Sequence, residues 1–534
     1  MLEILGVKDI HVTTSFLASS YRSTNQCEGK NMSKKYLRNE WLVLFLMGLL
    51  STSSALALPK DSQVVLKYTV DYADGFTAYI NDSPDGRLMA SCMLGASQNL
   101  TKITDTESGA TLFELEHRCL SAPIFSPDSH YIATEPTEKN RTTSLYDSKS
   151  GKLLRQIPLT GGWSSGQKFS PRSLFLASFE GGVPQGRVGT LMNIATGSTV
   201  KIKVSETVDT LQFNFDEQYV SVNDTNNNTV TITNTTNGQQ QVIRQPFTMY
   251  FKGGFSPDGK YFLSNPDLTS LVIRELSTGL RKTITFQGAV DKVTYNQDGT
   301  LISISSSQGE YVVAELSTGN ILHRFNHPDS RFAQFSPDSR YLLTASNKQV
   351  QLRDLSTEQM ILQQRDPAEG SFSNVSFSPD GHSVVMPHAF TGYVKIFEIA
   401  SQKISTFDYG NDFITDVTFS PSGSLLLVYN GTGNFAHVLN LANGTAHKYD
   451  VGINTNKHEI EFSKNEMYLL VNWSANTSGA KQANNQLIEL ASGTDLLKQI
   501  DPQSQILKFY LNPDEKSFAT NYLNLPQIKV YQLP

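Results

Sequence analysis

The sequence predicts an all-β fold made of about eleven four-stranded repeat units. Two observations carry this. The stretch "FSPDGKYFLS" at Phe255 recurs as "FSPDSHYIAT" at Phe125, "FSPDSRYLLT" at Phe335, "FSPDGHSVVM" at Phe377 and "FSPSGSLLLV" at Phe419. The recurrences are also evenly spaced. Aligned on the Phe position, the anchors are Asp82, Phe125, Phe169, Phe213, Phe255, Tyr295, Phe335, Phe377, Phe419, Phe462 and Leu511, with successive gaps of 43, 44, 44, 42, 40, 40, 42, 42, 43 and 49 residues. A fixed period of this length marks a repeat architecture.

One unit, residues 289–327, reads as four strands. "AVDKVTYN" is strand A, "TLISISSS" strand B, "YVVAELS" strand C and "NILHRFNH" strand D. Each run is rich in β-branched or aromatic residues and bounded by turn residues. The Ser-Pro-Asp-Gly segment is the A–B turn: Pro presets φ, Asp bonds back to the backbone, and Gly accepts a positive φ. A second turn, such as Ser277-Thr278-Gly279 or Ala442-Asn443-Gly444, follows each anchor by about two dozen residues and joins C to D.

Four short antiparallel strands per ~40–45 residues is the period of a β-propeller blade. The cadence of "FSPDGKYFLS…LVIRELSTGL" and "FSPDSRYLLTAS…VQLRDLSTEQ" resembles the WD-repeat family, over about residues 60 to 534. That resemblance implies blades. The Trp-Asp pair of the family is replaced by Arg353-Asp354, Phe397-Glu398, Arg274-Glu275 and Tyr146-Asp147, and the Gly-His pair is essentially missing. The family's Asp–His–Ser hydrogen-bond network is therefore not carried over.

The ends fit a closed ring. After the last anchor only "KSFATNY" and "QIKVYQL" remain, and the strand "SQVVLKYTV" precedes the first strand A. That spare strand completes the last blade and removes a sheet edge. Because eleven blades exceed the usual four to eight, two packed rings are expected, with one large ring as the alternative. The expected division places residues 58–245 in a first group and 246–534, about seven blades, in a second.

Residues 32–57 read as a signal peptide. Lys34, Lys35 and Arg38 precede the apolar run Trp41 to Leu50, and "STSSALA" ends in Ala55-x-Ala57. The run is short against the ~20 residues a spanning helix needs. Residues 1–31 lie upstream as a gene-start artefact or a disordered extension. The mature chain, 58–534, carries 38 basic and 46 acidic residues, net −8, with no basic stripe. Nucleic acid is excluded as a partner on that balance. The chain is expected to be exported, periplasmic or secreted, with no stable membrane span after cleavage. Cys92 and Cys119 are the cysteines it keeps; an exported chain allows them to pair, and two buried free thiols are the alternative.

No catalytic residue, metal site or cofactor loop is assigned. Gly162-Trp163-Ser164-Ser165-Gly166 matches a nucleophile elbow, but that motif needs a strand before it and a helix after it. His458-Glu459 lacks a second histidine at zinc-protease spacing, and "DTNNNT" at Asp224 reads as a solvated turn rather than a calcium loop. Two functions remain open: a scaffold binding a protein or peptide, or a propeller enzyme acting on a small molecule or glycan in the axial channel. The A–B and C–D turns are uniform. The B–C connections swell to "EGGVPQGRVG" and "NWSANTSGAKQANNQ", so the B–C/D–A face is the candidate binding face. The two tryptophans of the mature chain, Trp163 in a D–A and Trp473 in a B–C connection, are the candidate partner-binding residues. Sequencing the exported protein from its N-terminus should begin at Leu58; an uncleaved N-terminus in a membrane pellet would contradict the signal peptide.

Overall fold

A computed structural model of the chain describes residues 63–534, apart from short stretches of the B–C and D–A connections. The described residues fall within one compact unit, Ser62–Pro534. Eleven antiparallel sheets follow one another along it, nine of them simple four-stranded meanders in the order A-B-C-D. In the sixth blade strands A to D are Val290–Tyr295, Leu301–Ser306, Glu310–Glu315 and Ile321–Asn326. This matches the strands read from the sequence. The eleventh blade takes its outer strand from the other end of the chain: Val65–Asp71 pairs with Gln527–Gln532, beside Ser517–Tyr522 and Ile506–Leu511.

Burial follows position in the blade. Strand C of blade 6 is buried at Glu310 through Ala314, while strand D, Ile321–Asn326, has no fully buried residue. Strands B and C bury both faces against neighbouring blades, so they read as near-continuous apolar runs; the outer strand meets water. The cores lie between blades. Leu263, Leu271 and Ile273 of blade 5 pack with Val290, Ile302 and Val312 of blade 6.

Two blades are irregular. In blade 8 strand A is split into Ser371–Phe372 and Ser376–Phe377, around Asn374 at φ 41°. In blade 10 strand D is cut to Thr494–Asp495 and followed by a short helix, Leu496–Ile500, whose first turn Asp495 caps through the Leu497 N–H at 3.1 Å. This helix and a long B–C connection account for the widest anchor gap.

The A–B turns explain why one motif recurs. In blade 5 the Ser256 hydroxyl donates to Asp258 at 2.6 Å and accepts from the Tyr261 N–H at 3.0 Å, and the Gly259 N–H closes on the Ser256 carbonyl at 2.9 Å. The fourth turn residue is left-handed in every blade: Gly86, Ser129, Ser173, Glu217, Gly259, Gly299, Ser339, Gly381, Gly423, Glu466 and Glu515 all have φ between 56° and 77°. This residue faces the turn of the preceding blade. Where it carries a side chain, it bonds there. Ser129 accepts from the Asp85 N–H at 3.1 Å, Ser173 from the Asp128 N–H at 3.2 Å, and Ser339 from Asn296 Nδ2 at 3.0 Å. Glu217 accepts from the Ser170 hydroxyl at 2.5 Å, Glu466 from the Ser422 hydroxyl at 2.8 Å, and Glu515 from the Asn465 N–H at 2.8 Å. Where it is glycine, the preceding turn closes over it: an added Cβ would lie 3.3 Å from Pro257 at Gly299, 2.9 Å from Pro337 at Gly381 and 3.1 Å from Pro379 at Gly423.

These contacts run from blade to blade without a break. Asn214 Nδ2 donates to the Gly259 carbonyl at 2.9 Å, across the division expected near residue 245. Asn512 Nδ2 of blade 11 reaches the Gly86 carbonyl of blade 1 at 3.4 Å, so the series returns to its start. The blades form a single ring of eleven, and the two-ring expectation is corrected. Blade number alone carries no information on which blades are neighbours; the turn contacts set that.

The closing seam is tied at the outer radius as well. Lys67 pairs with Glu107 at 2.8 Å, Lys102 Nζ donates to the Asp71 carbonyl at 2.7 Å, and Gly109 lies against the Tyr68 ring, where a Cβ would stand 2.4 Å from Cγ. The turn lock has a simple test. At Gly259, φ is +72° and a Cβ would lie 2.7 Å from the Phe215 backbone nitrogen. Gly259→Ala should lower unfolding stability by about 1–2 kcal/mol or more in urea titration; an unchanged midpoint would contradict the lock.

Candidate interaction face

Strand A begins, and strand B ends, on the B–C/D–A side of each blade. Trp163 is the first residue of strand A in blade 3, paired with Gly181. Trp473 is the last residue of strand B in blade 10, paired with His458. Both are thus on the face expected of them, but in the ends of strands rather than in the connections. Trp is favoured in strands, and the ladders run on to include both residues. The surroundings of both indole rings lie outside the described residues.

The elbow-like run is likewise strand. Ser164 pairs with Glu180, and a register shift falls between Ser164 and Gly166, the mark of a β-bulge. The residues that would bend a chain from strand to helix instead continue strand A into Phe169. At Asp224 one carboxylate oxygen accepts from the Asn227 N–H at 3.1 Å and the other from Asn227 Nδ2 at 2.8 Å, ahead of Asn228 at φ 50°. That carboxylate is engaged in closing its own turn.

Cys92 lies in strand B of blade 1 (Leu88–Leu94) and Cys119 in the connection leading to blade 2. The structure brings them together, with Cα atoms 5.9 Å apart and the sulfurs at bonding distance. Cys119 therefore lies beside strand B, although strand C stands between B and D in the sheet. A bridge here would staple a D–A connection to the end of strand B on the same face as the tryptophans.

On the inner strands of blades 1, 3 and 7 the side chain preceding the anchor ties strand A to the next blade. Asn81 Nδ2 donates to the Pro123 carbonyl at 2.9 Å, Lys168 Nζ to the Leu211 carbonyl at 3.1 Å, and Gln334 Oε1 accepts from the Phe377 N–H at 3.2 Å. These polar groups serve the ring.

Two buried histidines, His327 and His388, had no sequence signal. His327, in the connection between blades 6 and 7, is fully buried and bonds through Nδ1 to the Thr344 hydroxyl at 2.8 Å. Burial holds its imidazole down at about 4, so it is neutral at physiological pH. Tyr311 beside it shares a 2.7 Å bond with Ser330, whose hydroxyl also reaches the Ala345 carbonyl at 2.8 Å. His388 is buried between Phe372 and Tyr393, with ring centroids 4.4 and 4.2 Å away. Asp354 is held at about 2: burial opposes ionisation, but hydrogen bonds from Ser356 and Arg340 outweigh it. Asp82 goes the other way, pushed up to about 7 by burial and by Asp514. These groups sit in different blades. Among the described residues no three His, Cys, Asp or Glu side chains gather as a metal site, and no helix is long and apolar enough to cross a membrane.

No family model matches the chain, and no curated protein matches it. Among solved structures it is similar to the C-terminal WD40 domain of Sif2 (14% identity, 69% of this chain and 95% of that one, TM-score 0.32). It is similar also to the eukaryotic initiation factor (17%, 63% and 90%, TM-score 0.36) and to the dihydro-heme d1 dehydrogenase NirN in complex with DHE (15%, 65% and 81%, TM-score 0.34). At such identities and scores these likenesses carry no functional argument; the β-propeller rests on the chain's own strand pairing.

The cysteine geometry gives a test. In unfolded, unreduced protein of residues 58–534 thiol titration should find no free cysteine, and Cys92→Ser should lower stability by about 3–4 kcal/mol for a loop closed over 27 residues. Two titratable thiols would refute the bridge.

Proposed function

We propose that the chain is an exported scaffold that docks a protein or peptide partner on its B–C/D–A face. One asymmetry carries the reading. Five residues join A to B in all eleven blades, and four or five join C to D in the ten blades whose C and D are continuous in the chain. On the other face the B–C connections run from three residues (between Ser306 and Glu310) to twelve (between Trp473 and Gln486), and strand-to-strand D–A connections from four to nine. The uniform face is occupied with holding blades together, since its turn residues bond or pack across each seam. The opposite face is free to vary, and length variation confined to one face of a repeat protein is the usual mark of recognition. The shifted carboxyl and imidazole groups Asp82, His327 and Asp354 lie apart in the ring, which favours a docking face over an axial reaction centre.

Trp163 and Trp473 are the proposed anchors, because a Trp ring contributes strongly to binding when a partner desolvates it. A signal peptide ending at Ala57 and a Cys92–Cys119 bridge fit an oxidising compartment outside the cytoplasm. The test is capture from an envelope extract by immobilised residues 58–534, with the captured protein then measured against variants. Trp163→Ala or Trp473→Ala should weaken its binding while leaving the urea midpoint unchanged. Lys260→Ala, exposed on an A–B turn of the opposite face, should leave binding intact. Full binding by both Trp variants, or loss on Lys260→Ala alone, would overturn the assignment of the face.

A further inference from the structure

The residue before each A–B turn is apolar in ten of the eleven blades and aspartate in one. Its packing partner is the preceding blade. Phe125, 8% exposed, packs with Leu88, Ala90, Ile103 and Leu115 of blade 1. In blade 1 itself the position is Asp82, and the preceding blade in the ring is blade 11. The seam there is built from Val70, Met89, Ile528 and Val530, with Tyr68 and Tyr510 against them. A carboxyl therefore stands where the other seams hold an apolar side chain.

This seam differs from the other ten in a second way. The chain passes covalently across each of the others. Between blades 11 and 1 it does not: the ring is closed by the pairing of Val65–Asp71 on Gln527–Gln532, by the Asn512 contact with Gly86, and by Lys67 with Glu107. The polar groups facing Asp82 do not offset its charge. Asp514, on the A–B turn of blade 11, is a second carboxylate. Tyr510, on strand A of blade 11, and Tyr68, on the closing strand, are neutral phenols whose ionisation is disfavoured by burial first and by Asp82 among the nearby charges. The Tyr68 hydroxyl is buried without a hydrogen-bond partner. Asp105 and Glu107, on the C–D turn of blade 1, add further negative charge around Tyr68.

We propose that Asp82 makes the closing seam a pH-sensitive latch: the seam is tight when the carboxyl is protonated and loosens when it ionises, so that the ring opens between blades 11 and 1. Burial, with Asp514 second, raises the carboxyl to about 7. Its value in the folded ring lies above the ~3.9 of a free aspartate. The stabilisation is then fully present below the free value and is lost as pH rises through about 7. Asp354, held at about 2, has the opposite sense: its contribution is present above the free value and is lost as pH falls through its own.

Hydrogen exchange of residues 58–534, corrected for intrinsic rates and read by mass spectrometry between about pH 5 and pH 8.5, tests this. Amides of residues 65–71 and 527–532 should lose protection as pH rises, by up to roughly tenfold per pH unit below the carboxyl's own value. The other ten seams should not follow. In Asp82→Asn the dependence should vanish, and in Asp514→Asn its midpoint should move to lower pH. Asp82→Phe, the residue most other blades use, should also abolish it and serves if the amide variant does not fold. Persistence of the wild-type dependence in Asp82→Asn or Asp82→Phe, or a loss of protection spread evenly over all blades, would overturn the latch.

Discussion

The contact on which the structure depends is the one between successive A–B turns. A residue held in left-handed conformation at the fourth turn position presents either nothing or a hydrogen-bonding side chain to the turn before it. Six of the eleven are not glycine. Holding a non-glycine residue there costs about 1–2 kcal/mol. A hydrogen bond to a charged group contributes about 1.5–3 kcal/mol, and Glu217 accepts from both the Ser170 hydroxyl and the Arg172 N–H while 1% exposed. The interaction therefore offsets the strain. At Gly299, Gly381 and Gly423 the proline of the preceding turn takes the space a side chain would fill. Two chemical solutions serve one geometric need.

Ring size follows from repetition of that contact. Each blade is fixed to its neighbour through the same turn on one face, with apolar side chains between the sheets and a further contact at the C–D turn. Gly151 lies against Phe113 and Gly493 against Tyr449 in that outer set. Covalent continuity holds ten seams in register. The eleventh relies on a borrowed strand, and it is the seam that carries a carboxyl. Val65–Asp71 gives the last blade the same outer strand as the others and covers the edge of Gln527–Gln532.

The sequence made the blade legible because blade chemistry is local. Turn residues at fixed offsets, β-branched runs between them, and a spare strand at one end predicted the strands of blade 6 and the pairing of Val65–Asp71 with the last blade. The number of rings was not legible, since it depends on contacts between residues some forty positions apart, such as Asn214 with Gly259. The tryptophans were placed on the right side of their blades but one step out of the ladder: Trp163 and Trp473 extend strands. His327 gave no signal, because its partner Thr344 belongs to the next blade. Asp82 did give one, as the lone acid in a column of apolar anchors; its meaning needed the knowledge that blade 11 lies beside it.

The most direct test of a single ring closed by one seam is to see it. Single-particle electron microscopy of residues 58–534 should give axial views with eleven spokes around one central channel. Two smaller rings side by side, or a ring of seven with the remaining blades set apart, would contradict the account.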